Sequence, residues 1–291
     1  MTSRYDLHCH STASDGTLTP QQLIPRARER GVEYLALTDH DTTAGLAVAA
    51  EAAASCGLRL IPGVEVSVTW NRRTVHIVGL NIDPTDAALQ AGLAGLREFR
   101  DGRAEEIARR LERAGIPGAL EGARRHARGA IVGRTHFAHF LVDAGRAPNV
   151  RDVFKKYLVK DTPGYVSGDW AELEEAVAWI RGAGGHAVIA HPARYRLTAT
   201  KLRELIGQFR ECGGAALEVV TGSHSRDECH AMAAQVRRSD LYASCGSDYH
   251  GPENPWIDLG SLPQLPAGCR PIWEHPEWPL PEPAAAPRRA L

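Results

Sequence analysis

Asp6-Leu7-His8-Cys9-His10-Ser11-Thr12-Ala13-Ser14-Asp15-Gly16 is the stretch on which the reading of this chain turns. Residues 4–10 read as a strand, and side chains alternate across a strand. His8 and His10 therefore point to one side and Cys9 to the other. Residues 19–30 follow as a helix, with Thr19 as N-cap, Pro20 at its first position and Gly31 just past its end. A second strand at 34–38, an Ala-rich helix at 43–56 closed by Gly57, and strands at 59–61 with 64–69 and at 74–80 continue the rhythm. Short apolar runs at 187–190, 215–220 and 242–245 resemble fully buried parallel strands. Helical segments near 171–181, 200–212 and 226–239 separate them. Alternating strands and helices predict a parallel sheet with helices outside. The count is seven strands, one short of a full eight-stranded barrel.

One region breaks the alternation. From 86 to 165 no strand signal appears. Leu89, Leu93, Leu96, Ile107 and Leu111 mark helical periodicity instead, and shorter helices are expected near 133–145 and 150–158. The expected organisation is a barrel built from 1–85 and 166–276, a small helical insertion at 86–165 that lids its mouth, and a Pro/Ala-rich tail at 277–291. Arg97, Arg100 and Arg103 are expected on the solvated face of the insertion's first helix.

Composition excludes several classes. The 291 residues carry 34 Lys+Arg against 35 Asp+Glu, a net charge of -1, so no extended basic track for duplex nucleic acid is expected. No apolar run is long enough to span a membrane. The N-terminus lacks the apolar segment of a signal peptide, which gives a cytoplasmic expectation. Six cysteines without a repeated C-x-x-C pattern make neither a disulfide framework nor a zinc ribbon, and are expected reduced and buried.

Imidazoles and carboxylates gather where the strands end. After His8, His10 and Asp15 come Thr38-Asp39-His40-Asp41, Gly63-Val64-Glu65, Val75-His76-Ile77, Ala190-His191-Pro192 and Ser247-Asp248-Tyr249-His250. Any one of these histidines alone would be an ordinary core or surface residue. Together they lie on the face where such barrels place their chemistry, and at that density their burial is costly unless cations neutralise it. Imidazole and carboxylate ligands without thiolates suit Mn²⁺, Fe²⁺ or Zn²⁺ and disfavour a closed structural zinc site. Nine candidate ligands exceed what one ion takes, so two or three ions are expected, Mn²⁺ first. Asp41 is read as a support for His40.

In order and spacing these motifs resemble the PHP (polymerase and histidinol phosphatase) family of the amidohydrolase superfamily. The resemblance implies a distorted (β/α)₇ barrel. It also implies that His8, His10, Glu65 and Asp248 hold one metal, that bridging Glu65 joins His76 and His191 on a second, and that Asp15, His40 and His250 hold a third. The insertion, with Gly133-Arg134-Thr135-His136, Lys155-Lys156-Tyr157-Leu158 and Pro163-Gly164-Tyr165, is similar to the branch that removes the 3′-phosphate from nucleoside 3′,5′-bisphosphates. Relatives in that branch also trim short RNA from its 5′ end. The implied activity is a phosphomonoesterase that converts, for example, adenosine 3′,5′-bisphosphate to AMP through a hydroxide bridging two metals. Exoribonuclease action on short RNA and histidinol-phosphate hydrolysis are the alternatives. A non-catalytic module is disfavoured by the intact ligand set.

Charge agrees with a phosphate substrate. Three divalent ions exceed three carboxylates and a hydroxide by about two charges, which matches a phosphate dianion. Asp248 is expected to orient the attacking water or take its proton. Arg134, at the start of a helix where free N–H groups favour anions, is the leading phosphate clamp; the alternative is a solvent-facing arginine. His224, with Ser223 beside it, is a candidate phosphate ligand or acid for the leaving oxygen, or else an ordinary loop histidine. Arg194 and Lys160 are weaker phosphate candidates. Trp70, Tyr165, Trp170 and Tyr249 could stack on a base, but are read as core aromatics.

Overall fold

The computed structural model describes residues 4–129 and 131–279. The strands are β1 (Tyr5–Asp6), β2 (Tyr34–Leu37), β3 (Arg59–Trp70), β4 (Arg73–Leu80), β5 (His186–Ile189), β6 (Ala216–Thr221) and β7 (Tyr242–Gly246). They form one seven-stranded sheet in sequential order. The sheet curls back on itself: Leu7 donates to Cys245 O at 2.9 Å, and Cys9 bridges Tyr249 in parallel. The result is a nearly closed seven-stranded α/β barrel.

The all-parallel expectation needs one correction. β4 runs antiparallel to both β3 and β5. Only Asn71 and Arg72 separate β3 from β4, and both have positive φ (48° and 60°). A two-residue loop of this handedness can only fold a chain back beside itself. His76 accordingly reaches the site from the first half of β4 and not from a strand end, opposite Ser67 of β3.

The barrel helices are α1 (Pro20–Glu29), α2 (Leu46–Cys56), α7 (Leu173–Gly182), α8 (Ala199–Glu211) and α9 (Arg226–Ser239). Several of their ends fall where the capping signals lie. Thr19 N–H donates to Gln22 Oε1 at the head of α1, Gly57 ends α2 with φ 70°, and Thr198 and Ser225 cap α8 and α9 by accepting from Lys201 and Glu228 N–H.

Between β4 and β5 lie α3 (Ala87–Arg113), α4 (Ala119–His126), α5 (Arg134–Asp143) and α6 (Val150–Val153), which runs into a π-helical turn at Phe154–Leu158. α3 belongs to two cores. Leu89, Leu93 and Leu96 pack into the barrel core, whereas Ala104, Ile107 and Leu111 join Phe137, Leu141 and Leu158 in a separate cluster. The expectation of a solvated arginine face on α3 is wrong. Three-residue spacing puts Arg97, Arg100 and Arg103 on one stripe, and that stripe lies over the barrel rim. Arg100 donates to Asp41 Oδ2 (2.6 Å) and Ser67 Oγ (2.8 Å), Arg97 to Asp41 O (3.0 Å) and Arg103 to Val166 O (2.8 Å), with Arg100 and Arg103 over the Trp170 ring.

At the other end of β5, His186 is buried with its Nε2 3.2 Å from His275 Nδ1 and its ring against Trp278. The chain therefore stays on the barrel to Trp278, past the start of the expected tail; residues 280–291 lie outside the described residues. Burial, then His275, pushes the His186 pKa down to about 4. Folded His186 stays neutral where the unfolded chain takes up a proton, so its contribution is present above about pH 6.5 and is lost as pH falls toward 4. Urea unfolding of metal-loaded protein should lose about 1–2 kcal/mol from this residue between pH 7 and 5. His186→Gln should flatten that slope; an unchanged slope would remove His186 as its source.

Candidate active site

The nine singled-out side chains converge on the mouth formed by the strand ends. Glu65 is at the centre. Its Oε2 lies 2.9 Å from His40 Nδ1, 3.2 Å from His10 Nε2 and 3.3 Å from His8 Nε2, and its Oε1 lies 2.8 Å from His76 Nδ1 and 3.1 Å from His191 Nε2. Asp248 Oδ1 faces His8, His10 and His250 at 3.4–3.6 Å. Asp15 Oδ1 lies 3.3 Å from His250 Nε2 and 3.9 Å from His40 Nε2.

Three sets have donor atoms close enough to share an ion: His8, His10 and Glu65; His40, Glu65 and His76; and His10, Asp15, His40 and His250. They differ from the implied partition in that His10 and His40 each stand in two sets, while His191 and Asp248 stand in none. His186, His275 and Glu277 make a further such group at the far end of β5.

The donor set fits divalent cations. Glu65 Oε2, Asp15 Oδ1, His40 Nδ1 and His191 Nδ1 are buried without a hydrogen-bond partner. His40 Nδ1 and Glu65 Oε2, although 2.9 Å apart, are not aligned to bond. Buried polar atoms left this way are costly unless something unites them. Protonation follows the same logic. Burial alone would raise Glu65, yet the rings of His40, His76 and His8 hold it well below the usual carboxylate range; Asp15 and Asp248 behave alike. Burial lowers His10, but Asp248 and Glu65 bring it up to about 10, while burial takes His40 down to about 4. Protons in this cluster compensate carboxylates where cations would.

Local structure aims these groups. His8 Nδ1 lies 2.7 Å from Glu218 Oε1, which leaves Nε2 facing Glu65, and the other Glu218 oxygen accepts His191 N–H at 2.6 Å. This is the carboxylate–histidine pairing that fixes a ligand's orientation. Sequence reasoning missed Glu218; its signal was a lone acid in the apolar run 215–220. Asp39, also missed as a support, accepts from Ser11 N–H and Oγ and from Ser14 Oγ at 2.6–2.8 Å, which tightens the loop after His10. Asp41 braces the rim: its carboxylate takes Ser67 N–H and Arg100. Cys9 Sγ points away, toward Ala36 O. Two glycines allow close approach, because a Cβ on Gly246 would meet His8 Cβ at 2.2 Å and one on Gly16 would meet His10 O at 2.4 Å.

The phosphate candidates divide. Arg134 is the first residue of α5, and Thr135 beside it donates to Asp15 Oδ2 at 3.2 Å. Burial, then Arg100 and Arg194, lowers the Arg134 pKa; it has no carboxylate partner among the described residues and lies over the Phe154 ring. Arg103 is pushed to about 9 by burial, Arg134 and Arg100. These guanidinium groups repel one another beside the cluster. Arg194 Nη1 donates to Asp248 Oδ2 at 2.5 Å, and Arg194 and Ser223 line a cavity of about 970 Å³. His224 is a brace: Nδ1 meets Val219 O at 3.1 Å and Nε2 accepts Ala193 N–H at 3.3 Å, which leaves no free N–H for a leaving group. Lys160 is exposed and lines none of this cavity. Trp70, Trp170 and Tyr249 are buried as read, whereas Tyr165 is only half-buried.

The PHP domain model matches residues 6–210. A 3′,5′-nucleoside bisphosphate phosphatase of Chromobacterium violaceum is 53% identical over 273 residues, covering 94% of this chain and 96% of its own. The 5′-3′ exoribonuclease Rnm of Escherichia coli is 50% identical over 277 residues, covering 94% of each chain. Among solved structures, an amidohydrolase of Chromobacterium violaceum with bound sulfate and no metal superposes with a TM-score of 0.90 at 52% identity, covering 93% of this chain and 95% of that one.

Proposed function

The chain belongs to the PHP domain family, and from that premise we propose that it removes the 3′-phosphate from nucleoside 3′,5′-bisphosphates as a metal-dependent phosphoesterase. The observation that carries this reading is the convergence of six imidazoles and three carboxylates beside half-buried Arg134, a guanidinium with no carboxylate partner among the described residues. Divalent ions held there, Mn²⁺ first given nitrogen and oxygen donors without thiolates, would offset phosphate charge and make water nucleophilic near neutral pH.

The chain's own residues do the rest. Glu218 fixes the His8 ring and the His191 backbone, so two donors keep their aim. Arg134 and Arg194 bind the substrate phosphates, Arg134 taking the one remote from the reacting phosphorus. Asp248, within 3.6 Å of His8 and His10 and bonded to Arg194, receives the proton of the attacking water. The insertion presses α3 and α5 over the mouth and limits water access. Six cysteines without a repeated C-x-x-C pattern favour work in the cytoplasm, although Cys56, Cys212 and Cys269 are half-buried and not buried as expected. No helix of the described residues is long and apolar enough to cross a membrane.

A second reading, trimming of short RNA from its 5′ end, is favoured by the cavity continuing beyond the cluster to Trp256. Mn²⁺-loaded protein should be assayed for phosphate release from nucleoside 2′-, 3′- and 5′-phosphates, 3′,5′-bisphosphates and histidinol phosphate. The expected result is a kcat/KM for 3′,5′-bisphosphates at least about 10-fold above every monophosphate, because the second phosphate engages Arg134. Equal rates on nucleoside 3′-phosphates, or preference for histidinol phosphate, would contradict it.

A further inference from the structure

The cavity does not end at the ligand cluster. From Asp15, His250 and Asp248 it runs outward to Arg151 and Phe154 on the insertion side and to Trp256 on the loop after β7. Trp256 is 91% exposed, whereas Trp70 and Trp170, the two Trp residues singled out by sequence, are buried. Tryptophan is highly buried on average, so an indole left bare at the edge of a groove stands out.

Its loop is anchored. Glu253 accepts Thr17 Oγ1 at 2.8 Å, Asn254 Oδ1 accepts Trp256 N–H at 3.2 Å, and Ile257 N–H donates to Asn254 O. The ring is thus presented by a braced turn. Arg151, also exposed on the groove, makes no ion pair with any described residue. A flat π-surface and an unpaired cation along a groove that starts at a phosphoryl site match a single strand: a base stacks on the ring and a backbone phosphate meets the guanidinium.

We propose that Trp256, with Arg151 across the groove, forms a subsite for the nucleotide that follows the scissile phosphate in a short single-stranded RNA. This rests on the function proposed above and assigns residues to the strand beyond the reacting phosphate. The chemistry is the same for both substrates. Water adds to phosphorus, the P–O3′ bond breaks, and the proton given up by the water ends on the 3′ oxygen. A bisphosphate then yields a nucleoside 5′-phosphate and inorganic phosphate. An oligonucleotide yields a nucleoside 5′-phosphate and a strand one residue shorter that keeps its 5′-phosphate. A bisphosphate is the limiting substrate that leaves the Trp256 subsite empty.

The test compares wild type, Trp256→Ala and Trp256→Phe, all Mn²⁺-loaded, on a 5′-phosphorylated tetraribonucleotide and on adenosine 3′,5′-bisphosphate. Binding of a fluorescent 2′-O-methyl tetranucleotide is measured in parallel by anisotropy. For Trp256→Ala, kcat/KM on the tetranucleotide and its binding should each fall about 10-fold or more, the range of one lost base stack. The bisphosphate rate should stay within about twofold, and Trp256→Phe should recover most of the loss. Equal losses on both substrates, or no loss on either, would overturn the subsite. Wild type that hydrolyses the bisphosphate but neither binds nor trims the tetranucleotide would overturn it too and leave the phosphatase intact. Hydrolysis of neither substrate would defeat the function, while the anisotropy arm would still decide Trp256.

Discussion

Glu65→Gln is expected to lower kcat for bisphosphate hydrolysis by at least about 10²–10³-fold and to strip bound metal with it. Five imidazoles lie within 3.3 Å of the Glu65 carboxylate, shared between its two oxygens. Among the described residues, no other side chain touches as many of the candidate ligands. An amide of nearly the same shape removes the negative charge and turns one acceptor into a donor aimed at rings that also point inward. The substitution is nearly isosteric, so far-UV circular dichroism should match wild type. Metal content by mass spectrometry and phosphate release should fall together. Full metal with full turnover would remove Glu65 from the centre of the site.

Arg134→Ala should act differently. Metal content should be unchanged, and KM for a 3′,5′-bisphosphate should rise about 10- to 100-fold, the effect of losing a bidentate charge-assisted contact of about 1.5–3 kcal/mol. Rates on a substrate with one phosphate should change much less. The stability readout separates a binding role from a structural one. Arg134 is half-buried beside Arg100, Arg103 and Arg194, and unlike Arg100 and Arg194, which hold Asp41 and Asp248, it has no carboxylate partner among the described residues. Its removal relieves repulsion, so the substrate-free protein should melt no lower than wild type, and added phosphate should stabilise wild type more than the variant. A lower melting temperature with an unchanged KM would mean that Arg134 only packs on Phe154.

How legible each feature was in the sequence follows from the range of the interaction that creates it. Caps, turns and strand alternation are local, so Thr19, Gly57 and the shared side of His8 and His10 could be read directly. The ligand cluster was legible because six histidines and three acids each follow or lie in an apolar β run, and a barrel gathers such positions at one mouth. The antiparallel course of β4 was within reach, since a two-residue link between β3 and β4 forbids a crossover, but the alternation of strands and helices outweighed it. Glu218 was passed over because a single acid in a strand carries no label until His8 and His191 arrive from β1 and β5. The arginine stripe of α3 was misjudged for a related reason. Spacing places Arg97, Arg100 and Arg103 on one face, but only tertiary packing decides that the face meets Asp41 and Trp170 instead of water. His224 drew attention as a loop histidine near the mouth; backbone groups at Val219 and Ala193 occupy both its nitrogens.

The most direct test is the metal content of wild-type protein loaded with Mn²⁺ and desalted, followed by phosphate release from adenosine 3′,5′-bisphosphate before and after chelation. The account predicts at least two tightly held ions per chain, given donor sets that share Glu65 and His40, with activity that vanishes on chelation and returns with Mn²⁺. Less than one ion per chain, or hydrolysis that survives complete stripping, would contradict it.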